Sequence, residues 1–333
     1  MKDDIKVIEK RSWIRYAGAV LKAKFLSIKT PLFISWILTN RCNFSCQYCH
    51  SHGNKAEELT TQQALDFVEK LARCGTQGVT LTGGEPLMRE DLGKIVDSCV
   101  AQDIAVVLNS NGFMVAERIA DIRKVKMVML SLDGPEEIHD SIRGKGSFSM
   151  VMRAIDCVRA RGIKVCIGTT LSSLNLSSLD SIFRISKKNK LQVFFQPAEK
   201  YQLRYNELNS IVPLAEAYKR AIAAIMVEKK NNCFIGNSFS GLKSLSCWPE
   251  PHLPLKCYGG ILFVRIDANG DIKVCGRRHG SLVLGNILKN DFSNIFKGAA
   301  PAVCSTCWCA SRVEFNKAMA FDLEALLGIL KKV

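Results

Sequence analysis

Cys42-Asn-Phe-Ser-Cys46-Gln-Tyr-Cys49 places three thiols on one short stretch, spaced C-x3-C-x2-C. Thiols this close on a loop can hold three corners of a cubane iron–sulfur cluster. Four cysteines make the usual closed arrangement, so three leave one iron open to a ligand from outside. Zinc is the rival metal; it asks for a fourth Cys or His, and His50 or His52 is near enough in sequence to serve. A second group gathers Cys257, Cys275, Cys304, Cys307 and Cys309. Read alone, it fits an iron–sulfur site or a zinc ribbon. Fourteen cysteines in 333 residues, with no secretory h-region at the start, speak for metal binding rather than a disulfide framework. Cys74, Cys99, Cys157 and Cys166 stand singly in apolar patterns and read as packing residues. Cys233 and Cys247 stay unassigned.

Other chemistry-bearing residues recur at one kind of place, just beyond an apolar run. Thr82-Gly83-Gly84-Glu85-Pro86 follows one such run. Glycines let backbone approach a ligand closely, and Glu85 offers a carboxylate that can accept from an ammonium group. Asn109-Ser110-Asn111-Gly112 and Ser131-Leu132-Asp133-Gly134 follow two more runs, and His139-Asp140-Ser141-Ile142-Arg143-Gly144 comes next. Thr169, Thr170 and Gln196 end later runs. His139 reads equally well as a local capping residue.

The runs read as strands over 32–38, 78–81, 104–108, 126–132, 163–170 and 191–196. Helical spacing lies between them near 61–74, 91–101, 115–123, 148–161 and 178–188, and again over 213–230. Alternating strands and helices predict an α/β fold: a parallel sheet curled into a partial (β/α)6 barrel, with its chemistry at the C-terminal ends of the strands. After about residue 231 the periodicity changes. Ile261–Asp267, an Asn269-Gly270 turn and Asp271–Cys275 predict a β-hairpin, followed by a short helix near 291–297. The expected organisation is a basic amphipathic helix over 1–30, the barrel over 31–231, a small cysteine-bearing domain over 232–312 and a C-terminal helix over 313–333.

A formal net charge of +15 suits nucleic acid, an anionic membrane surface or an acidic substrate without choosing among them. No nucleic-acid recognition module is visible, and anionic clusters would offset part of the excess. Trp13, Ile14, Ala17, Val20, Leu21 and Phe25 recur at helical spacing, interleaved with Arg11, Arg15, Lys22 and Lys24. Such a helix caps a domain or lies on an anionic membrane, and the apolar stretch 318–332 reads the same two ways. No run is long enough to span a bilayer. The expected location is cytoplasmic, with peripheral membrane association as the second reading.

Together, the first cysteine group and Gly83-Gly84-Glu85-Pro86 resemble the signature of the radical S-adenosylmethionine (SAM) superfamily. The resemblance covers roughly residues 33–310. It implies a [4Fe–4S] cluster on Cys42, Cys46 and Cys49 whose open iron chelates SAM. Reduction would then cleave SAM to a 5′-deoxyadenosyl radical that takes hydrogen from an unactivated C–H bond. It implies that Tyr48 lies near the adenine, that Gly83, Gly84, Glu85 and Asn109 frame SAM, that Ser131 and Asp133 lie near its methionine or ribose, and that Arg143 reaches its carboxylate. The second group, with the hairpin and Gly285-Asn286-Ile287, resembles the SPASM and twitch extensions, and the one-cluster twitch form best. That implies an auxiliary [4Fe–4S] cluster on Cys257, Cys275, Cys304 and Cys307, with Cys309 as a substitute, accepting or relaying an electron. A donor such as flavodoxin or ferredoxin is the implied partner.

Relatives with such extensions modify ribosomal peptides, small alcohols and sugars. The segment before Cys42 is short for a leader-binding domain, which turns the expectation toward a small-molecule or lipid-linked substrate, with a peptide maturase as the alternative. An RNA-modifying enzyme of this class and a non-catalytic electron carrier are further alternatives. The complete Gly-Gly-Glu-Pro argues against the carrier.

Overall fold

The computed structural model describes residues 18, 20, 21, 25, 26, 28–49, 57–199, 201–202, 207–250, 256–276, 283–299 and 307–330. His50, His52, Cys304 and most of the expected N-terminal helix lie outside the described residues.

β1 (Phe33–Thr39) shows how the layers are divided. Ile34, Trp36 and Leu38 are buried, and Trp36 meets Phe67 of α1 (Thr61–Arg73) edge to face at 5.2 Å. Phe33, Ser35 and Ile37 alternate onto the other face and are half-buried. Helix α1 starts at a capping box, in which Thr60 Oγ1 accepts from Gln63 N and Gln63 Oε1 accepts from Thr60 N. Its buried Ala64, Phe67, Val68 and Leu71 form the apolar stripe that covers the sheet.

The pattern repeats through β2 (Gly78–Gly83), α2 (Leu92–Ala101), β3 (Ala105–Ser110), β4 (Met127–Ser131), α3 (Glu136–Arg143), α4 (Ser147–Ala160), β5 (Lys164–Leu171), α5 (Leu179–Asn189) and β6 (Gln192–Pro197). Strands β1 to β6 are parallel and adjacent in chain order, the arrangement that helical crossovers produce. The inner face, away from the helices, carries Ser35, Thr80, Thr82, Asn109, Ser131, Thr170 and Gln196, all half-buried. The same face also carries an apolar cluster of Met127, Cys166 and Phe194 with Val107 and Met129 packed on it, so hydroxyls and amides share this wall with hydrophobic side chains.

Two local expectations change. No helix forms over 115–123; a single 3-10 turn, Ile119–Ile122, replaces it. Arg118 explains the turn, because its guanidinium holds the carbonyl oxygens of Leu87, Arg89 and Glu90 together with Asp121. In contrast, α3 was not expected as a separate helix. It begins after Pro135 with Glu136 and Glu137 in its first turn and ends with Arg143 before Gly144, at φ +122°. This order suits the helix dipole.

After β6 come a two-residue pair, β7 (Tyr201–Gln202) and β8 (Glu207–Leu208), then α6 (Ala215–Asn231) and α7 (Phe239–Leu245). The predicted hairpin forms as β9 (Phe263–Ile266) and β10 (Asp271–Lys273), with Gly270 at φ +85° in its turn. A third strand, β11 (Val283–Asn286), pairs with β10. β9 lies parallel to β1, so the hairpin continues the barrel sheet in the order β11-β10-β9-β1-β2-β3-β4-β5-β6.

A short helix, α8 (Phe292–Gly298), packs Phe292 on Phe67 at 5.3 Å. The expected C-terminal helix is two helices, α9 (Ala310–Met319) and α10 (Leu323–Leu330), broken near Phe321 at φ +64°. In α9, Phe315 lies edge-on to Phe33 and Phe263, while Glu314 accepts from Ser238 N at 2.9 Å beyond β6. The helix therefore bridges from the β1–β9 edge to the chain that follows β6. Val20 joins the same apolar cluster as Leu32, Phe315, Met319 and Ala325, bringing the N-terminal segment to the C-terminal helices. Among the described residues no helix is long and apolar enough to cross a membrane.

Candidate functional site

The thiol loop leaves the C-terminal end of β1 and is fastened from two sides. Gln47 N donates to Ile142 O at 3.0 Å and Gln47 Nε2 to Ser141 O at 2.7 Å, tying the loop to α3. Gly84 N donates to Thr39 O at 2.9 Å and Glu85 N to Arg41 O at 2.8 Å, tying it to the turn after β2. The role of the two glycines is visible here. A methyl on Gly84 would run into the carbonyl oxygen of Arg41, and one on Gly83 into that of Thr39. Both positions let the two loops touch, so their requirement for glycine follows from protein packing before any ligand arrives. Gly84→Ala should therefore release the thiol loop: the thermal midpoint falls and iron retained after reconstitution drops. An unchanged midpoint would refute this reading.

Cys46 is buried; Cys42 and Cys49 are half-buried. Burial pushes the Cys46 thiol up to about 11 and raises Cys42 as well. Cys42 and Cys46 thus hold their protons in the bare loop, and metal binding must displace them. N–H donors already face two of the sulfurs: Arg143 Nη1 lies 3.9 Å from Cys46 Sγ and Asn111 Nδ2 lies 3.9 Å from Cys42 Sγ. Three thiols faced by a cation and an amide are a donor set that fits an anionic iron–sulfur cluster.

Asp133, Arg143 and Tyr48 form one buried assembly. Arg143 Nε donates to Asp133 Oδ2 at 2.6 Å, Tyr48 OH donates to the same oxygen at 2.7 Å, and Arg143 Nη2 contacts the Tyr48 hydroxyl. Thr170 N holds Asp133 Oδ1 at 2.9 Å. Asn175 Nδ2 donates to Asp133 O and Thr170 O, both at 2.8 Å. Asp133 N donates to His139 Nδ1 at 3.1 Å. His139 is wholly buried, and burial with the nearby Arg143 charge pushes it down to about 4, so its ring is neutral. It is a receiver for the Asp133 backbone rather than a helix cap.

Glu85 is fully buried and accepts from Leu87 N at 3.1 Å, Ser110 Oγ at 3.0 Å and Asn111 N at 2.7 Å. Burial nevertheless lifts it to about 7. The carboxylate joins the ends of β2 and β3, and Asn111 passes that order to Cys42. Ser131 and Asn109 stand half-buried on the inner wall, in register with Gly168 and Met129. Of the expected SAM residues, Tyr48, Asp133 and Arg143 come together beside Cys46, while Gly83, Gly84 and Glu85 build the loop behind Cys42. Ser110, Asn111 and Asn175 were not singled out from the sequence. Their signal was present in the Asn109-Ser110-Asn111-Gly112 turn for the first two and absent for Asn175.

At the second group, Cys307 is raised, first by burial and then by the neighbouring Cys309, Cys275 and Cys257 thiols. Cys309 is buried at the N-cap of α9 with Sγ 3.2 Å from Ser311 Oγ. Among the described residues no three His, Cys, Asp or Glu side chains converge on a single ion.

Comparison with known proteins agrees with this geometry. Residues 36–184 match the radical SAM superfamily. Mycofactocin maturase MftC of Mycobacterium ulcerans is 30% identical over 285 residues, which cover 82% of this chain and 76% of the relative. AdoMet-dependent heme synthase of Oleidesulfovibrio alaskensis is 26% identical over 87% of this chain and 81% of the relative. Among solved structures, Streptococcus suis SuiB bound to S-adenosylmethionine superposes with TM-score 0.67 at 16% identity, over 84% of this chain and 69% of that one. Native anSMEcpe with bound AdoMet gives 0.65 at 18% identity, over 80% of each chain. At those identities the structural likeness speaks for the fold.

Proposed function

We propose that this chain, which belongs to the radical SAM superfamily, abstracts hydrogen from a peptide substrate. A [4Fe–4S] cluster and SAM, when bound, would supply the radical chemistry that takes the hydrogen. The chain's own residues have other tasks. Cys42, Cys46 and Cys49 would hold the cluster. Arg143 and Asn111 direct N–H groups at two of their sulfurs. Asp133 keeps Arg143 in place, and His139, Asn175 and Thr170 keep Asp133 in place. The half-buried hydroxyls and amides of the inner wall would orient the ligands and keep bulk water from the reacting atoms. Cys257, Cys275, Cys304 and Cys307 are the residues proposed to hold an auxiliary cluster, with Cys309 as the substitute. The observation that carries the reading is the Arg143–Cys46 contact inside the Asp133–Tyr48 assembly.

The substrate class rests on the relatives. Several are named as maturases, and a SuiB structure contains its precursor peptide SuiA. This favours the peptide alternative over the small-molecule or lipid-linked expectation. The heme synthases among the relatives supply the second reading, a tetrapyrrole.

The test uses anaerobically reconstituted protein with dithionite and SAM. About eight irons per chain are expected, falling to about four in a Cys42→Ala/Cys46→Ala/Cys49→Ala variant that yields no 5′-deoxyadenosine. With a deuterated candidate peptide substrate, deuterium should enter 5′-deoxyadenosine. Zinc in place of iron, or clusters without SAM cleavage, would sink the reading. Deuterium transfer from a porphyrin but not from the peptide would replace the substrate.

Peripheral membrane association has one observation in its favour. Leu21, Phe25, Leu26, Leu323 and Leu327 are exposed on segments brought together by Val20 and Ala325. Lys22 and Lys24 stand among the first three in sequence. The protein should float with anionic liposomes at low salt and release at high salt. No flotation at low salt refutes the association.

A further inference from the structure

The helices that cover the sheet run back against its parallel strands, so their last turns gather at the end where the strands begin. In α4, α5 and α6 those turns are basic. Arg159 donates to Asn189 O at 2.9 Å, Lys187 meets Glu228 at 2.7 Å, and Lys229 meets Glu324 of α10 at 2.9 Å. These contacts tie α4 to α5, α5 to α6 and α6 to α10, so the basic turns form one strip.

The strip is not balanced from within. Arg161 and Lys190 stand at the C-caps of α4 and α5, and Lys188 and Lys230 in the last turns of α5 and α6. All four are exposed and have no carboxylate partner among the described residues. Cations at helix C-termini answer the helix dipole, but each helix end carries only about half a negative charge. An excess therefore remains. It does not serve the thiol loop either. β5, Lys164–Leu171, runs about 23 Å from the basic end to the end where Asp133 takes Thr170 N. Salt screens exposed charges well within that distance.

Exposed apolar residues stand at the same end. Val20, Leu32 just before β1 and Ala325 of α10 share one buried cluster. Around it Phe25, Leu26, Leu323 and Leu327 face solvent. Apolar residues beside a basic strip suit an anionic lipid surface, where the first enter the headgroup layer and the second meet its charge. A nucleic acid would use the cations and leave Phe25 and Leu323 in water.

We propose that the end of the barrel where the strands begin lies on an anionic membrane, held by Arg161, Lys188, Lys190 and Lys230 beside the apolar terminal segments. This orientation rests on the peripheral association described above and specifies the face that makes it. The strand ends that carry Asp133 and the thiol loop then point away from the bilayer, toward a peptide arriving from water.

Flotation of the reconstituted full-length protein tests it, with vesicles of phosphatidylcholine alone and of phosphatidylcholine mixed with phosphatidylglycerol. Arg161→Gln/Lys188→Gln/Lys230→Gln should weaken partitioning onto the anionic vesicles about a hundredfold, since each cation near such a surface contributes about fivefold. Lys94→Gln/Lys145→Gln/Arg220→Gln removes the same net charge toward the other end, from the first turn of α2, the segment after α3 and the second turn of α6. It should change partitioning less than about threefold. All six side chains are exposed, so both variants should keep the wild-type thermal midpoint.

Equal loss in the two variants overturns the orientation, because net charge alone would then account for the attraction. So does undiminished flotation of the first variant, which leaves the association to the terminal segments. A single-stranded RNA that wild type binds and the first variant does not, with vesicle partitioning equal in both, makes the strip a nucleic-acid site. No flotation of wild type at low salt sinks the peripheral reading and the orientation with it; flotation without a difference between the variants sinks the orientation alone.

Discussion

Replacing Arg143 by Met should cost the folded, metal-free protein roughly 3–5 kcal/mol, the usual penalty for stranding one member of a buried ion pair. The Asp133 side chain is fully buried and that of Arg143 is 7% exposed, so solvent cannot stand in for the lost cation. Asp133 would keep Thr170 N and Tyr48 OH as donors, which softens the loss without cancelling it. The test is a double-mutant cycle in urea. Arg143→Met/Asp133→Asn should recover most of the deficit, because Asn keeps an acceptor for Thr170 N and carries no charge to bury. The same variant removes the N–H that faces Cys46. Its cluster, once reconstituted, should therefore show a changed midpoint potential before SAM is added. A loss below about 1 kcal/mol would mean that the pair contributes no more than a surface bridge.

How much of this was legible in the residues follows from the range of the interactions. The thiol loop, the strand-ending motifs and the order of β1 to β6 rest on short-range pattern, and all are visible in the sequence. Gly83 and Gly84 announced a close approach, but not that the partners are the carbonyls of Thr39 and Arg41. Glu85 announced a carboxylate, but its three donors come from its own turn and from the end of β3, and pattern carries no such register. The parallel pairing of β9 with β1 spans more than two hundred residues and leaves no local trace. α3 was readable, with Pro135 before two acids and Arg143 before Gly144, yet it is hidden inside a stretch that already drew attention as a motif. The turn at Ile119–Ile122 lost to Arg118, whose hold on three carbonyls no helical periodicity reveals.

The last expected result comes from two buried groups whose titrations oppose each other. Glu85 is lifted from 4.5 to about 7 by burial, against the pull of its three donors. Between those values the native state binds a proton that the unfolded state has released. Its contribution is therefore fully present below pH 4.5 and is lost as pH rises through about 7. His139 is lowered from 6.5 to about 4, by burial first and Arg143 second. There the unfolded state binds the extra proton, so its contribution is present above pH 6.5 and is lost as pH falls through about 4. Each shift corresponds to about 3 kcal/mol. In the wild-type protein the two slopes nearly cancel between pH 4.5 and 6.5. His139→Gln, whose side-chain oxygen can still receive Asp133 N, should unmask a stability that declines with rising pH. Glu85→Gln should unmask the opposite slope, on top of a constant loss from facing its new amide toward Asn111 N. Cys42 and Cys46 stay protonated throughout this window and add no slope. Urea unfolding of the metal-free proteins at four pH values decides the matter. Parallel profiles for wild type and both variants would show that neither group titrates as its surroundings dictate.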